Sequence, residues 1–185
     1  MGNLKILKVA TITVVGIWLS GLVSRSAKAA EQKDAISRYL STVGTNDVDL
    51  FSQNNLDRVS ESHADDVVVT WPDGHQTKGL EKHLEDLKAI FVYAPDIKIT
   101  KPPIKFGSGE WTCVKATMTG TFSRPMIMPR GRIIHPTGKS FNVPIVIVGQ
   151  WRGGKMVAEW FSWDNQTFMR QIGLPSSTSA YPSPQ

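Results

Sequence analysis

The chain has 185 residues, with 21 Lys and Arg against 16 Asp and Glu, a formal net charge of +5 and one cysteine. A lone cysteine excludes an intramolecular disulfide, so packing alone must hold the fold. Lys5, Lys8, Arg25 and Lys28 all precede residue 30, where no acidic residue lies. The remaining 17 basic groups face 16 acidic ones, so the positive net charge gives no argument for a nucleic-acid partner and none is expected.

The first segment reads as a secretory signal peptide. A short basic start is followed by an uncharged apolar run from Val9 to Val23, short for a spanning helix, the alternative reading being an uncleaved N-terminal anchor. Ala27-Lys28-Ala29 then places small residues at the two positions a signal peptidase reads. Cleavage after Ala29 leaves a domain over residues 30–174 and a Ser/Pro-rich tail over 175–185, which is expected to be disordered. The expected location is periplasmic or extracellular, with no membrane span after cleavage.

Glu31 to Val43 carries Ala35, Ile36, Tyr39, Leu40 and Val43 at helical spacing, and a second, less regular helix is expected from Asn46 or Asp47 to about Ser60. Asp66 to Trp71 is a β-branched and aromatic strand, stopped by Pro72-Asp73-Gly74, with His75 to Lys78 returning as a short strand. Gly79 to Ala94 is an amphipathic helix with Leu80, His83, Leu84, Leu87 and Phe91 on one face, and Pro95 ends it. From Asp96 the period falls to two. Ile97 to Thr100 is a strand that Pro102-Pro103 confines to an edge or an interruption. Glu110 to Phe122 is a long strand, Ser123 to Lys139 an extended loop, and Ser140 to Trp151 a strand apolar on both faces and therefore expected to be covered on both. Gly153-Gly154 reads as a two-residue hairpin turn, Met156 to Trp163 as the last strand, and Asn165 to Ile172 as a closing helix. Helices first and a long meander after them predict an α+β domain.

No dinucleotide or P-loop fingerprint, H-E-x-x-H, paired C-x-x-C or G-x-S-x-G occurs. His63-Ala64-Asp65-Asp66 has ligand-type residues, but at a helix-to-strand junction they read as caps and solvated groups, and no metal site is expected. With Gly153-Gly154 as the turn, Arg152 pairs with Lys155, and Asp164 falls opposite Val143, Ser162 opposite Ile145 and Trp160 opposite Ile147. A carboxylate among such neighbours has a raised pKa, as a general base near neutrality requires. Asp164 also stands one residue before a helix, where Asp is a favoured cap, and spacing alone leaves both roles open. His83 is a titratable ring on an apolar stripe: either a hydrogen-bonded core histidine or a donor facing a pocket. Trp71, Trp111 and Trp160, with Phe91 and Ile147, are candidates for the flat apolar wall of a ligand pocket. Arg124, Arg130 and Arg132 suit an anionic ligand or partner, but read first as a solvated loop.

The order A-D-D-V-V-V-T-W-P-D-G (64–74), Gly79 opening a helix that ends in A-P-D (94–96), G-x-W (109–111), P-T-G-K (136–139), G-G-K-M-V-A-E-W-x-x-x-D (153–164) and Q-I-G-L (171–174) resembles the SnoaL-like polyketide cyclases of the nuclear-transport-factor-2-like superfamily. The resemblance covers residues 64–174 and implies a curved antiparallel sheet wrapped around helices, a cone-shaped cup with an internal pocket. It implies an aspartate acid/base, matched by Asp164, that acts without metal or cofactor, and a homodimer formed through the outer sheet face. Two functions from different classes follow. One is an exported, cofactor-free acid/base enzyme of cyclase, isomerase or hydro-lyase type, with Asp164 and His83 as its acting groups. The other is a non-catalytic carrier of a small hydrophobic or aromatic ligand.

Overall fold

The computed structural model describes residues 10–42, 56–128 and 131–175. The chain divides into two units, Met1–Ala35 and Ile36–Gln185. Helix α1 is assigned to Ala10–Ser41, so the helix expected to begin at Glu31 is the end of a longer one. No helix among the described residues is long and apolar enough to cross a membrane. The second expected helix falls mostly outside the described residues; its end, Leu56–Glu61, is a 3-10 turn.

The remaining elements follow the predicted order: β1 (His63–Thr70), β2 (Gln76–Lys78), α2 (Leu80–Tyr93), β3 (Lys98–Ser108), β4 (Trp111–Thr121), β5 (Met126–Ile127), β6 (Ile133–Ile134), β7 (Ser140–Arg152), β8 (Lys155–Ser162) and α3 (Asn165–Gln171). Six strands form one sheet in the order β2-β1-β8-β7-β4-β3. Together with the helices it makes the α+β cone expected of this fold. The sheet is mixed rather than wholly antiparallel, because β1 enters parallel to β8 while its other ladders are antiparallel. The stretch expected to be one extended loop, Ser123–Lys139, contains the small β5–β6 ribbon.

Local chemistry accounts for these placements. Gly79, at φ 89°, turns the chain from β2 into α2 and donates its N–H to Val67 O at 2.9 Å. A positive φ there suits glycine, which has no Cβ to clash. In α2, His83, Leu87, Ile90 and Phe91 are buried as the stripe requires, and Asp86 is buried with them. Thr77 satisfies that carboxylate by donating to Asp86 Oδ2, while Trp71 Nε1 donates to Thr77 Oγ1 at 2.8 Å.

The prolines sit where a ladder can lose a donor. β3 is an edge strand, and its register with β4 shifts between Thr100 and Ile104, across Pro102-Pro103. Pro144 lies in β7, but β8 pairs with β7 only from Val146 onward. Beyond that point Gln171 of α3 takes the place of a strand: Asn142 N donates to its Oε1 at 2.7 Å, and its Nε2 donates to Asn142 O at 3.1 Å.

β7 is not covered on both faces. Phe141, Val143, Ile145, Ile147 and Trp151 are buried, whereas Asn142 and Pro144 are exposed and Val146 and Val148 half-buried. The buried face joins Val67, Val69 and Trp71 of the β1 arm, the apolar stripe of α2, and Phe168 and Met169 of α3 in one core.

Candidate functional site

The inner sheet face and α2 enclose a cavity of about 50 Å³. By the ~10–15 Å³ that one water-sized body occupies, it holds about four. Eleven of its fourteen lining residues are apolar, drawn from the 3-10 turn, α2 and the inner face of the sheet. The three polar ones are His63, His83 and Glu159, and they stand together.

Each arrives from a different element. His63 is the first residue of β1, and its ring nitrogen Nδ1 lies 3.1 Å from Val59 O and 2.8 Å from Ser62 Oγ. A carbonyl oxygen only accepts, so the tautomer that bonds Val59 O carries its proton on Nδ1 and presents the Nε2 lone pair. Nε2 lies 3.5 Å from Glu159 Oε2. His83, one turn into α2, places its Nε2 at 3.6 Å from the same oxygen. Glu159 comes from the inner face of β8, on the phase of Phe161 and Trp163. All three are buried, at 3%, 1% and 4% exposure. Burial disfavours the imidazolium of His83 and pushes its pKa down to about 4; Glu159 pulls it up, His63 pushes it down and Asp86 pulls it up. Neither His83 Nδ1 nor Glu159 Oε2 has a hydrogen-bond partner among the described residues. Trp71 packs over the trio's rim, 5.9 Å from the His83 ring and 5.0 Å from Phe161.

The expected site residues divide. His83, Trp71 and Ile147 line the cavity. Phe91 is buried in the core without lining it. Trp111 and Trp160 lie on the opposite sheet face, their rings 5.7 Å apart. There Phe106, Cys113, Val148 and Trp160 stand directly across from one another on four strands, and Phe106 is 61% exposed.

Asp164 is not brought to the cavity. Arg152 does pair with Lys155 across Gly153-Gly154, but one extra residue, Val157, bulges between the Trp151–Met156 and Gln150–Ala158 pairs. Ser162 therefore faces Val146 and Trp160 faces Val148, on the outer side of the sheet. Asp164 is exposed and caps α3, accepting from Thr167 N at 3.1 Å and from Thr167 Oγ1. These two Thr167 bonds, the hydroxyl first, hold its carboxyl below the usual carboxylate range rather than above it. The same bulge turns Glu159 inward, so the expected inner carboxylate exists five residues earlier. Its sequence signal is a carboxylate alternating with Phe161 and Trp163, legible only once the bulge is known.

His63 was expected to be a cap or a solvated group with Asp65 and Asp66. Those two are exposed as expected, but His63 is buried in the trio. Arg124 and Arg132 are exposed, and Arg130 lies outside the described residues.

Comparison with known proteins agrees with this architecture. Among solved structures, the chain is similar to a candidate SnoaL-like polyketide cyclase from Jannaschia sp. CCS1, with 18% identity, 78% of this chain and 95% of that one covered, and a TM-score of 0.62. It is similar to a candidate polyketide cyclase from Xanthomonas campestris pv. campestris, with 13% identity, coverage of 75% and 99%, and a TM-score of 0.65. It is also similar to IdmH, a candidate polyketide cyclase from Streptomyces antibioticus, with 22% identity, coverage of 75% and 98%, and a TM-score of 0.57. No curated protein matches the chain. The sequence profile of the SnoaL-like polyketide cyclases matches residues 43–172, most of the chain, and with the cone fold and its small-molecule cavity it shows that the chain belongs to the SnoaL-like polyketide cyclase family.

Proposed function

We propose that the protein is a cofactor-independent enzyme of cyclase, isomerase or hydro-lyase type, acting on a compact, mostly apolar molecule that carries a carbonyl group. The observation that carries this reading is the contact of Glu159 with His83, 3.6 Å apart in an otherwise apolar cavity. Glu159 removes a proton alpha to the carbonyl and later returns it to another atom of the ligand. The neutral imidazole of His83 donates a hydrogen bond to the oxygen as negative charge develops there. The apolar walls keep water away, which strengthens both interactions. Asp164 serves in this reading as the cap of α3.

Native mass spectrometry of wild type and Glu159→Gln, each purified from the native host, tests the proposal. A small-molecule adduct retained only by the variant supports turnover in wild type, and its mass names the ligand class. The same adduct in both proteins supports the carrier function, which the apolar majority of the lining also favours.

Two further properties belong to the same reading. The protein is exported, so its mature N-terminus is Ala30, and intact mass of the secreted form tests this. It pairs with a second copy through the outer row of Phe106, Cys113, Val148 and Trp160, and light scattering of Phe106→Lys against wild type tests that.

A further inference from the structure

We propose that His63, His83 and Glu159 form a three-ligand site for a divalent transition-metal ion, with Zn²⁺ the best fit, on the wall of the cavity. The site goes beyond the proton-transfer reading above. It uses the same side chains, but it is defined by equilibrium binding and stands or falls apart from turnover.

Three observations point to an ion. The first is donor geometry. The ligand atoms of the three residues lie within 4.8 Å of one another, and both imidazole Nε2 atoms converge on one oxygen, Glu159 Oε2, at 3.5 and 3.6 Å. Bonds of about 2.0–2.2 Å from nitrogen and carboxylate oxygen to zinc put tetrahedral ligand atoms about 3.4 Å apart. The two His–Glu separations are thus already near a bound geometry, and only the two rings must draw closer.

The second is orientation. In the tautomer that donates from Nδ1 to Val59 O, His63 Nε2 offers a lone pair toward the Glu159 carboxylate oxygen 3.5 Å away, which also only accepts when ionised. In that tautomer a cation between the two acceptors is bound by both lone pairs at once. A ring nitrogen held by a backbone carbonyl is also how a metal-binding histidine is normally oriented from behind.

The third is burial without compensation. Glu159 Oε2 is buried and has no hydrogen-bond partner among the described residues, and no Lys or Arg forms an ion pair with it there. A buried acceptor left in this state is costly. Two histidines and one carboxylate suit zinc, copper, nickel or iron rather than calcium or magnesium, which prefer oxygen ligands. Three protein ligands leave a coordination position open, as in zinc sites that act on a bound molecule. Metal and proton compete for the same lone pairs, so binding releases protons and weakens as pH falls.

The test is titration of the EDTA-stripped mature chain with Zn²⁺ by calorimetry near neutral pH, and with Co²⁺ by visible absorption. The expected result is one ion per chain, with Co²⁺ d–d bands of four- or five-coordinate intensity. Glu159→Gln and His63→Gln, checked for folding by circular dichroism, should weaken binding at least tenfold, while His75→Gln and His135→Gln should not. If a trio variant fails to fold, ring ¹H–¹⁵N spectra of wild type replace it, and Zn²⁺ must then shift the His63 and His83 signals. Absence of stoichiometric binding in wild type overturns the proposal. So does binding that survives in folded Glu159→Gln, or that moves only His75 or His135.

Discussion

Glu159 Oε2 stands 3.6 Å from His83 Nε2, and both residues are buried in a cavity whose other walls, His63 apart, are apolar. The pair joins a strand to a helix 76 positions apart in sequence. Removing the carboxylate while keeping its shape should separate fold from function. Glu159→Gln is expected to lower turnover of the captured ligand by roughly 10²–10⁴-fold, the usual contribution of a general base, while retaining the wild-type circular dichroism spectrum. Full activity in a folded Glu159→Gln would remove this residue from the reaction.

Protonation of His83 should appear in stability. The folded His83 pKa is depressed from 6.5 to about 4, chiefly by burial, against Glu159, with His63, and against Asp86. The unfolded chain therefore binds a proton between those two values when the folded chain does not, and stability rises with pH across that window. For the metal-free chain this contribution is fully present above pH 6.5. It falls on the order of 3 kcal/mol as pH drops toward 4. Urea unfolding in EDTA at a series of pH values measures it, and His83→Gln should flatten that part of the curve.

Asp164 behaves oppositely in sign and place. Its pKa is lowered by the Thr167 hydroxyl and backbone, so its support of α3 is present above the ordinary carboxylate pKa and disappears as pH falls through the lower folded value. Asp164→Ala should lower the melting temperature by roughly a few degrees, as loss of a helix cap does, without changing the ligand retained on native mass spectrometry. A change in ligand retention at unchanged melting temperature would return Asp164 to the chemistry.

Gly149 pairs with Glu159 across the β7–β8 ladder. A Cβ there would stand 3.0 Å from Thr112 Oγ1, 3.1 Å from Met156 Cε and 3.1 Å from Trp151 Nε1, where Trp151 already donates to Thr112 Oγ1 at 2.9 Å. Because Trp151 and Met156 are fully buried, they have little room to give. Gly149→Ala should cost about 1–3 kcal/mol by chemical denaturation, the range for overpacking a dense core.

Much of the fold was legible along the chain because it is encoded locally. The stripe Leu87, Phe91 and His83, the stop at Pro95, the Gly153-Gly154 turn and the edge placement of Pro102-Pro103 each depend on neighbours a few residues away. So does the capping of α3 by Asp164. The inward carboxylate was not legible, because strand phase depends on every residue between the turn and the side chain. Val157 alone exchanges the inner and outer faces of β8: it sends Asp164 and Trp160 outward and Glu159 inward. His63 was hidden for a related reason. It leaves a 3-10 turn to enter β1 beside β8, a parallel pairing that no local pattern announces. The sequence by itself determined the elements, their order and the identity of the polar groups. Only the tertiary structure decided which three of those groups share a cavity, because that depends on one bulge and one long-range pairing whose stabilisation comes from the packed core rather than from adjacent residues.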